Sequence, residues 1–201
     1  MRSKLSFTIL LLLSSLLCFS QDAEVTDITN ITKVTILSPG IGYEKRIAKY
    51  QSLYLQGFLD ISGGVGYSSS LGFLSFLYLD PTFSLEYRYY YNFRRRQERG
   101  KRVAMNSLNY IAPFFRSSFP RRNYINSSGE FERKRRAIYA TGATFGLQRN
   151  FRSRFSLDMN IGLGYMIEGR YTDDEGIASY NNNQFYFPGR ISFGIWLNKR
   201  K

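Results

Sequence analysis

Apolar and polar residues alternate with a period of two over much of this chain. Between Arg154 and Tyr165, Phe155, Leu157, Met159, Ile161, Leu163 and Tyr165 fall on one face, and Ser156, Asp158, Asn160, Gly162 and Gly164 on the other. A β-strand points successive side chains to opposite faces, so this segment reads as a strand with one apolar face and one small, polar face. Tyr139 to Gln148 repeats the pattern, and the basic stretch Arg149 to Arg154 joins the two as an antiparallel hairpin. Thr82 to Arg94 sets Phe83, Leu85, Tyr87, Tyr89, Tyr91 and Phe93 against Ser84, Glu86, Arg88, Tyr90, Asn92 and Arg94.

Weaker segments fill the gaps. Ser107 to Arg116 places Leu108, Tyr110, Ala112 and Phe114 on its apolar face. Gln51 to Ile61 has Leu53, Leu55, Leu59 and Ile61 on one face but Tyr54 and Phe58 on the other, so its inward face is ambiguous. Ile41, Tyr43 and Ile47 oppose Gly42, Glu44 and Arg46, and Ile191, Phe193, Ile195 and Leu197 oppose Ser192, Gly194 and Trp196. Thr32 to Leu37 is short and β-branched, and Ser38-Pro39-Gly40 ends it as a turn. The pattern predicts eight strands, at about 28–37, 40–47, 51–64, 81–94, 104–117, 136–149, 154–168 and 184–198.

The content of the polar face decides which way such a sheet turns. A soluble barrel points its apolar face inward. Here the polar face carries Glu44, Arg46, Glu86, Arg88 and Asp158 among Gly, Ser, Thr and Asn. Small residues suit the crowded lumen of eight strands, and opposite charges there can pair. The apolar face is rich in Tyr and Phe near strand ends, as in the aromatic girdles of membrane barrels. The expected fold is therefore all-β, a closed antiparallel transmembrane β-barrel. The long links at 65–80, 118–135 and 169–183 fall on one side and mostly shorter ones on the other, the asymmetry of outer-membrane barrels.

The N-terminus assigns the compartment. Arg2 and Lys4 precede an apolar run from Leu5 to Phe19, and small Cys18 and Ser20 occupy the −3 and −1 positions of a cleavage site. This is the layout of a cleaved signal peptide, residues 1–20, followed by a barrel domain, residues 21–201. Leu17 before Cys18 argues against a lipoprotein signal, which wants a small residue there. Cleavage removes the single Cys and lowers the net charge from +13 to +11.

Composition then narrows the chemistry. The chain has no His, so no His-based triad or metal site can form. No enzyme activity, cofactor or metal is expected. Asp173-Asp174-Glu175 reads as a solvated loop tip, and Gly162-Leu163-Gly164 as strand positions facing a tight interior. Arg94 to Arg102 holds six Arg/Lys and one Glu. After a signal peptide, such a run points to a solvated turn or to anionic lipid rather than nucleic acid. The second basic cluster, Arg116 to Arg136, includes Arg121, Arg122, Arg133, Lys134, Arg135 and Arg136 on the outer side, where lipopolysaccharide phosphates are a sensible partner.

Two stretches carry a resemblance. Ser38 to Ile47, with Tyr89 to Arg96, Gly100-Lys101-Arg102 and Asn106 to Tyr110, resemble blocks of the small outer-membrane β-barrel proteins of Gram-negative bacteria. The resemblance implies an eight-stranded barrel, an outer-membrane location and handling by the outer-membrane assembly machinery, and it carries no catalytic residue. The chain departs from the usual aromatic C-terminus, since Leu197 to Lys201 follow Trp196. The expected function is structural or surface interaction, through lipopolysaccharide or a protein partner at the long loops. The alternatives are a narrow ion or small-solute channel and a soluble periplasmic lipid-binding barrel.

Overall fold

The alternating segments become strands, and each strand finds an antiparallel neighbour. In the computed structural model, residues 27–68, 72–125, 131–135, 137–168, 171–172, 179–180 and 183–198 are described. The strands in chain order are β1 (Ile31–Thr35), β2 (Gly40–Ala48), β3 (Gln51–Ser68), β4 (Gly72–Tyr89), β5 (Asn109–Ser118), β6 (Arg121–Ile125), β7 (Phe131–Arg135), β8 (Ile138–Asn150), β9 (Phe155–Glu168), β10 (Tyr171–Thr172), β11 (Ser179–Tyr180), β12 (Gln184–Tyr186) and β13 (Gly189–Trp196). One helix, α1 (Phe93–Glu98), and a 3₁₀ turn, Ala104–Asn106, lie between β4 and β5.

Eight of these strands close on themselves. The order β1-β2-β3-β4-β5-β8-β9-β13 returns to β1, because β13 pairs with both β9 and β1. Closure gives every ring strand a partner on both sides along part of its length, while Leu59–Ser68 and Gly72–Pro81 extend beyond the ring as a two-stranded ladder. β6 and β7 form a separate hairpin between β5 and β8, with Arg121 opposite Arg135 and Arg122 opposite Lys134.

The ring is inside out relative to a soluble fold. Outward positions are apolar and exposed: Ile41, Leu53, Phe83, Ile111, Phe145, Leu163 and Ile191, with Ile161 at 66%. Inward positions are polar and buried: Lys33, Glu44, Gln56, Ser84, Glu86, Gln148, Asp158 and Arg190, with Arg88 at 0%. A small apolar cluster closes one end of the ring. Ile28, Tyr90, Phe93, Val103 and Leu108 pack together there, and Tyr50 stacks on Phe93 at 4.6 Å.

Several expectations change. The strand ends at Tyr89, not Arg94, because the chain turns into α1 and buries Phe93 in the end cluster. The stretch 95–103 is therefore part of a folded cap, not a bare turn, and the next strand starts at Asn109 instead of 104. The link expected at 65–80 shrinks to 69–71, since β3 and β4 stay in register from Gln51↔Tyr89 to Ser68↔Gly72. Gly63-Gly64 and Ser68 look like loop residues, yet a continuous ladder satisfies their backbone groups.

The phase of β5 is the reverse of a lipid-facing apolar face. Tyr110, Ala112 and Phe114 point inward and are buried, while Ile111 and Phe115 point out. Both faces of this segment are apolar, so alternation alone could not choose. The ambiguous β3 resolves the same way: Tyr54 and Phe58 face in, and Leu53, Leu55, Leu59 and Ile61 face out. The last strand is interrupted at Phe187-Pro188, which separates β12 from β13, and the Pro188 carbonyl accepts from Gly162 N at 2.8 Å. Proline lacks the donor a continuous ladder needs. The proposed leader, residues 1–20, and Asp173-Asp174-Glu175 lie outside the described residues.

Candidate functional site

The interior is organised around Arg88, which β4 delivers to the middle of the ring. Its Nε and Nη2 donate to Glu86 Oε2 at 2.9 and 2.6 Å, and its Nη1 donates to Asp158 Oδ2 at 2.8 Å and Gln148 Oε1 at 2.6 Å. Two tyrosine rings cover the guanidinium, with centroids 3.9 Å (Tyr54) and 4.2 Å (Tyr110) from Cζ. Arginine suits this position because its planar group takes carboxylates at its edge and aromatic rings at its faces.

Two further cations complete the set. Arg190 Nη2 donates to Glu86 Oε1 at 3.0 Å, and its Nη1 to Gln56 Oε1 at 2.7 Å. Lys33 Nζ donates to Gln148 Oε1 and lies 3.6 Å from Asp158 Oδ2 and 3.9 Å from Glu44 Oε2. Among the described residues, the buried network thus balances Lys33, Arg88 and Arg190 against Glu44, Glu86 and Asp158. Neutrality matters here because an unpaired buried charge costs several kcal/mol, about 3–5 when one partner of a pair is removed.

Glu44 ties this network to the end cap. Its Oε1 accepts from Ser52 Oγ at 2.8 Å, Tyr90 Oη at 2.5 Å and Asn106 Nδ2 at 2.9 Å. Asn106 also exchanges hydrogen bonds with Thr29, accepting its N–H at 2.8 Å and donating to its carbonyl at 2.9 Å. Met105 and Asn106 have left-handed backbone, φ 54° and 56°. Asn tolerates that region, which turns its carboxamide into the ring.

Two glycines make room for the tyrosines. A Cβ on Gly42 would stand 2.3–2.8 Å from the phenol end of Tyr54, and a Cβ on Gly146 2.3–2.7 Å from that of Tyr110, both too close to fit. Small residues on the inward face are thus a condition for the Arg88 sandwich. Tyr110 Oη also donates to Asp158 Oδ1 at 2.7 Å, so the ring is held at its polar tip as well.

The structure brings together Glu44, Glu86, Arg88 and Asp158 of the sequence-based set. It leaves Arg46 out. Arg46 stays in the ladder opposite inward-facing Ser52, but it is the last regular pair of β2, at the end of the ring. Its side chain is 50% exposed and pairs with Asp27 at 2.6 Å. Alternation gives the face of a residue but not its depth along the ring, and at the rim a long arginine side chain reaches past the interior to Asp27.

Sequence reasoning placed Gln148 on the polar face without joining it to the charged set, and it missed Lys33, Tyr54, Tyr90, Tyr110 and Arg190 as members of the network. Arg190 was findable, since it opposes the apolar face of Ile191, Phe193 and Ile195 as Glu86 opposes Phe83 and Leu85. Of the outer basic set, Arg121, Arg122, Arg133, Lys134 and Arg135 lie on the β6–β7 hairpin, and Arg136 lies outside the described residues.

The arrangement is a clamp: Glu44, Glu86 and Asp158 are each engaged by cations or hydroxyls among the described residues. What it can do chemically is hold eight strands in one register. Against known proteins, the chain matches no family model, no curated protein and no solved structure.

Proposed function

We propose that this protein is an integral outer-membrane β-barrel with a structural or surface-interaction role, of the small eight-stranded type. The observation that carries this reading is the reversal of polarity across the ring, with ion pairs inside and an apolar belt outside. A soluble lipid-binding barrel needs the opposite arrangement. The belt has the dimensions of a bilayer core. Outward residues from Phe155 to Ile167 cover ~40 Å of strand at about 3.3 Å per residue, or roughly 30 Å along the axis at a tilt near 40°.

Support for a structural role over conduction comes from the interior itself. The Arg88 network fills the middle of the ring, and the Phe93 cluster with Asn106 caps the end that carries α1. Eight strands leave a lumen that side chains fill. Fractionation tests the membrane reading. The protein is expected in the outer membrane, resistant to salt and carbonate extraction, with faster gel mobility unheated than boiled. Recovery as a free periplasmic protein would refute it.

The β6–β7 hairpin supports contact with lipopolysaccharide. Its register sets Arg121 opposite Arg135 and Arg122 opposite Lys134. Like charges directly opposite are destabilising, and bound phosphate would relieve them. Arg133→Glu with Lys134→Glu should weaken lipopolysaccharide binding in a salt-dependent manner, measured by co-sedimentation. Unchanged binding would leave the hairpin as a solvated surface.

A further inference from the structure

The end of the ring that carries α1 bears a second basic surface, chemically separate from the hairpin. Asn92, Arg95, Arg96, Arg99, Lys101 and Asn109 line a pocket of about 190 Å³ there. Tyr91 forms its remaining wall. That side chain belongs to the exposed outer face of the ring, next to Phe145 at 5.8 Å between ring centroids. The pocket therefore sits where the apolar belt ends and the cap begins.

Its cations have no counter-charge. Among the described residues, Arg95, Arg99 and Lys101 form no ion pair, and Glu98, the acidic residue of this stretch, forms none with them. Arg96 is fixed by one bond, from Nη2 to the Arg102 carbonyl at 3.0 Å, while its Nε is buried with no partner. Burial draws the Arg96 guanidinium's pKa below the ordinary arginine range, with no carboxylate to oppose the shift. Arg149 stands near enough to repel it.

The asparagines are already committed. Asn92 Oδ1 accepts from Asn109 N at 2.9 Å, and Asn109 Oδ1 accepts from Arg149 Nη2 at 2.7 Å. They build the pocket floor and leave the cations to a ligand. The missing component is an anion.

We propose that this pocket binds the phosphate of an anionic phospholipid headgroup in the leaflet facing the α1 end. The inference rests on the membrane reading above. Guanidinium groups take phosphate oxygens in pairs, and the Tyr91 wall places the ligand at the belt's rim, where an acyl chain can run down the apolar face. Free phosphate would satisfy the charges but would make no use of that position.

The test uses the full mature chain in mixed phosphatidylglycerol–phosphatidylcholine nanodiscs, with retained lipids counted by native mass spectrometry. Phosphatidylglycerol should be retained at least tenfold over phosphatidylcholine. Arg95→Gln with Arg99→Gln should bring retention of the two lipids to near parity, because both guanidinium groups that grip the phosphate are gone. Lys45→Gln with Lys49→Gln removes the same charge from the same end, outside the pocket, and should change it little.

Equal losses in both double variants would mean diffuse attraction, and would overturn the pocket. Displacement of the lipid by millimolar inorganic phosphate would overturn the lipid assignment in favour of free phosphate. A chain that inserts normally yet holds both lipids equally overturns this inference alone. A chain that enters no bilayer overturns the membrane reading together with it.

Discussion

Arg88→Ala is expected to destabilise the folded ring by about 3–5 kcal/mol, the largest single effect in this chain. The substitution leaves Glu86 and Asp158 facing each other's field without the cation that both engage, and it strips both tyrosine rings of their partner. The measurement is the urea midpoint of the gel-mobility transition in lipid vesicles. Arg88→Lys should recover only part of the loss, because one ammonium cannot reach both carboxylates and stack on two rings. An Arg88→Ala ring within 1 kcal/mol of the parent would show that the interior is hydrated enough to dissolve the network. In that event the ring's rigidity must come from its ladders alone.

Ile161→Arg is expected to cost about 2–4 kcal/mol in a bilayer, because Ile161 faces outward midway along the apolar positions of β9. The same substitution on a soluble surface would fall within about 0.5 kcal/mol. Insertion yield and unfolding midpoint in vesicles read the difference. An Arg at the end of the belt, as in Phe155→Arg, should cost only about 0–1 kcal/mol. A flat profile between the two positions would contradict a lipid-facing β9. The two experiments are complementary: one removes charge from the interior, the other adds it to the exterior, and an inside-out ring should resist both.

Much of the ring was readable because its rule is simple. β8 and β9 alternate without a break, so their inward faces, with Gln148, Asp158 and Asn160, followed from period two alone. Glu86 and Arg88 stood out as charges opposite an aromatic face. Electroneutrality was a further signal left unused. The expected interior set, three carboxylates with Arg46 and Arg88, carried excess negative charge even before the loss of Arg46 to Asp27 at the ring's end. Such an interior demands more cations, and Lys33 and Arg190 are the ones that alternation places on inward positions.

Tyrosine was harder. Tyr54 and Tyr110 were counted as apolar, yet each serves as a face for Arg88, and Tyr110 also donates through its hydroxyl. An aromatic residue with a polar tip fits either face of a barrel strand, so its type does not choose one. The choice came from the neighbours: Gly42 and Gly146 leave the space that each ring fills.

By itself the sequence determined that the chain is a strand-former with two faces, since backbone pleating converts period-two alternation directly into faces. It also determined that no histidine chemistry is available. Tertiary structure decided the rest. Closure of β13 onto β1 turned a run of eight strands into one interior, and only that closure brings Lys33, Arg88, Asp158 and Arg190 from four strands within contact. The bulge in β2, the turn of Phe93 into the cap and the break at Pro188 depend on packing between segments far apart in the chain. Local periodicity carries no information about such contacts, because they are set by which residues share a volume and not by which share a strand.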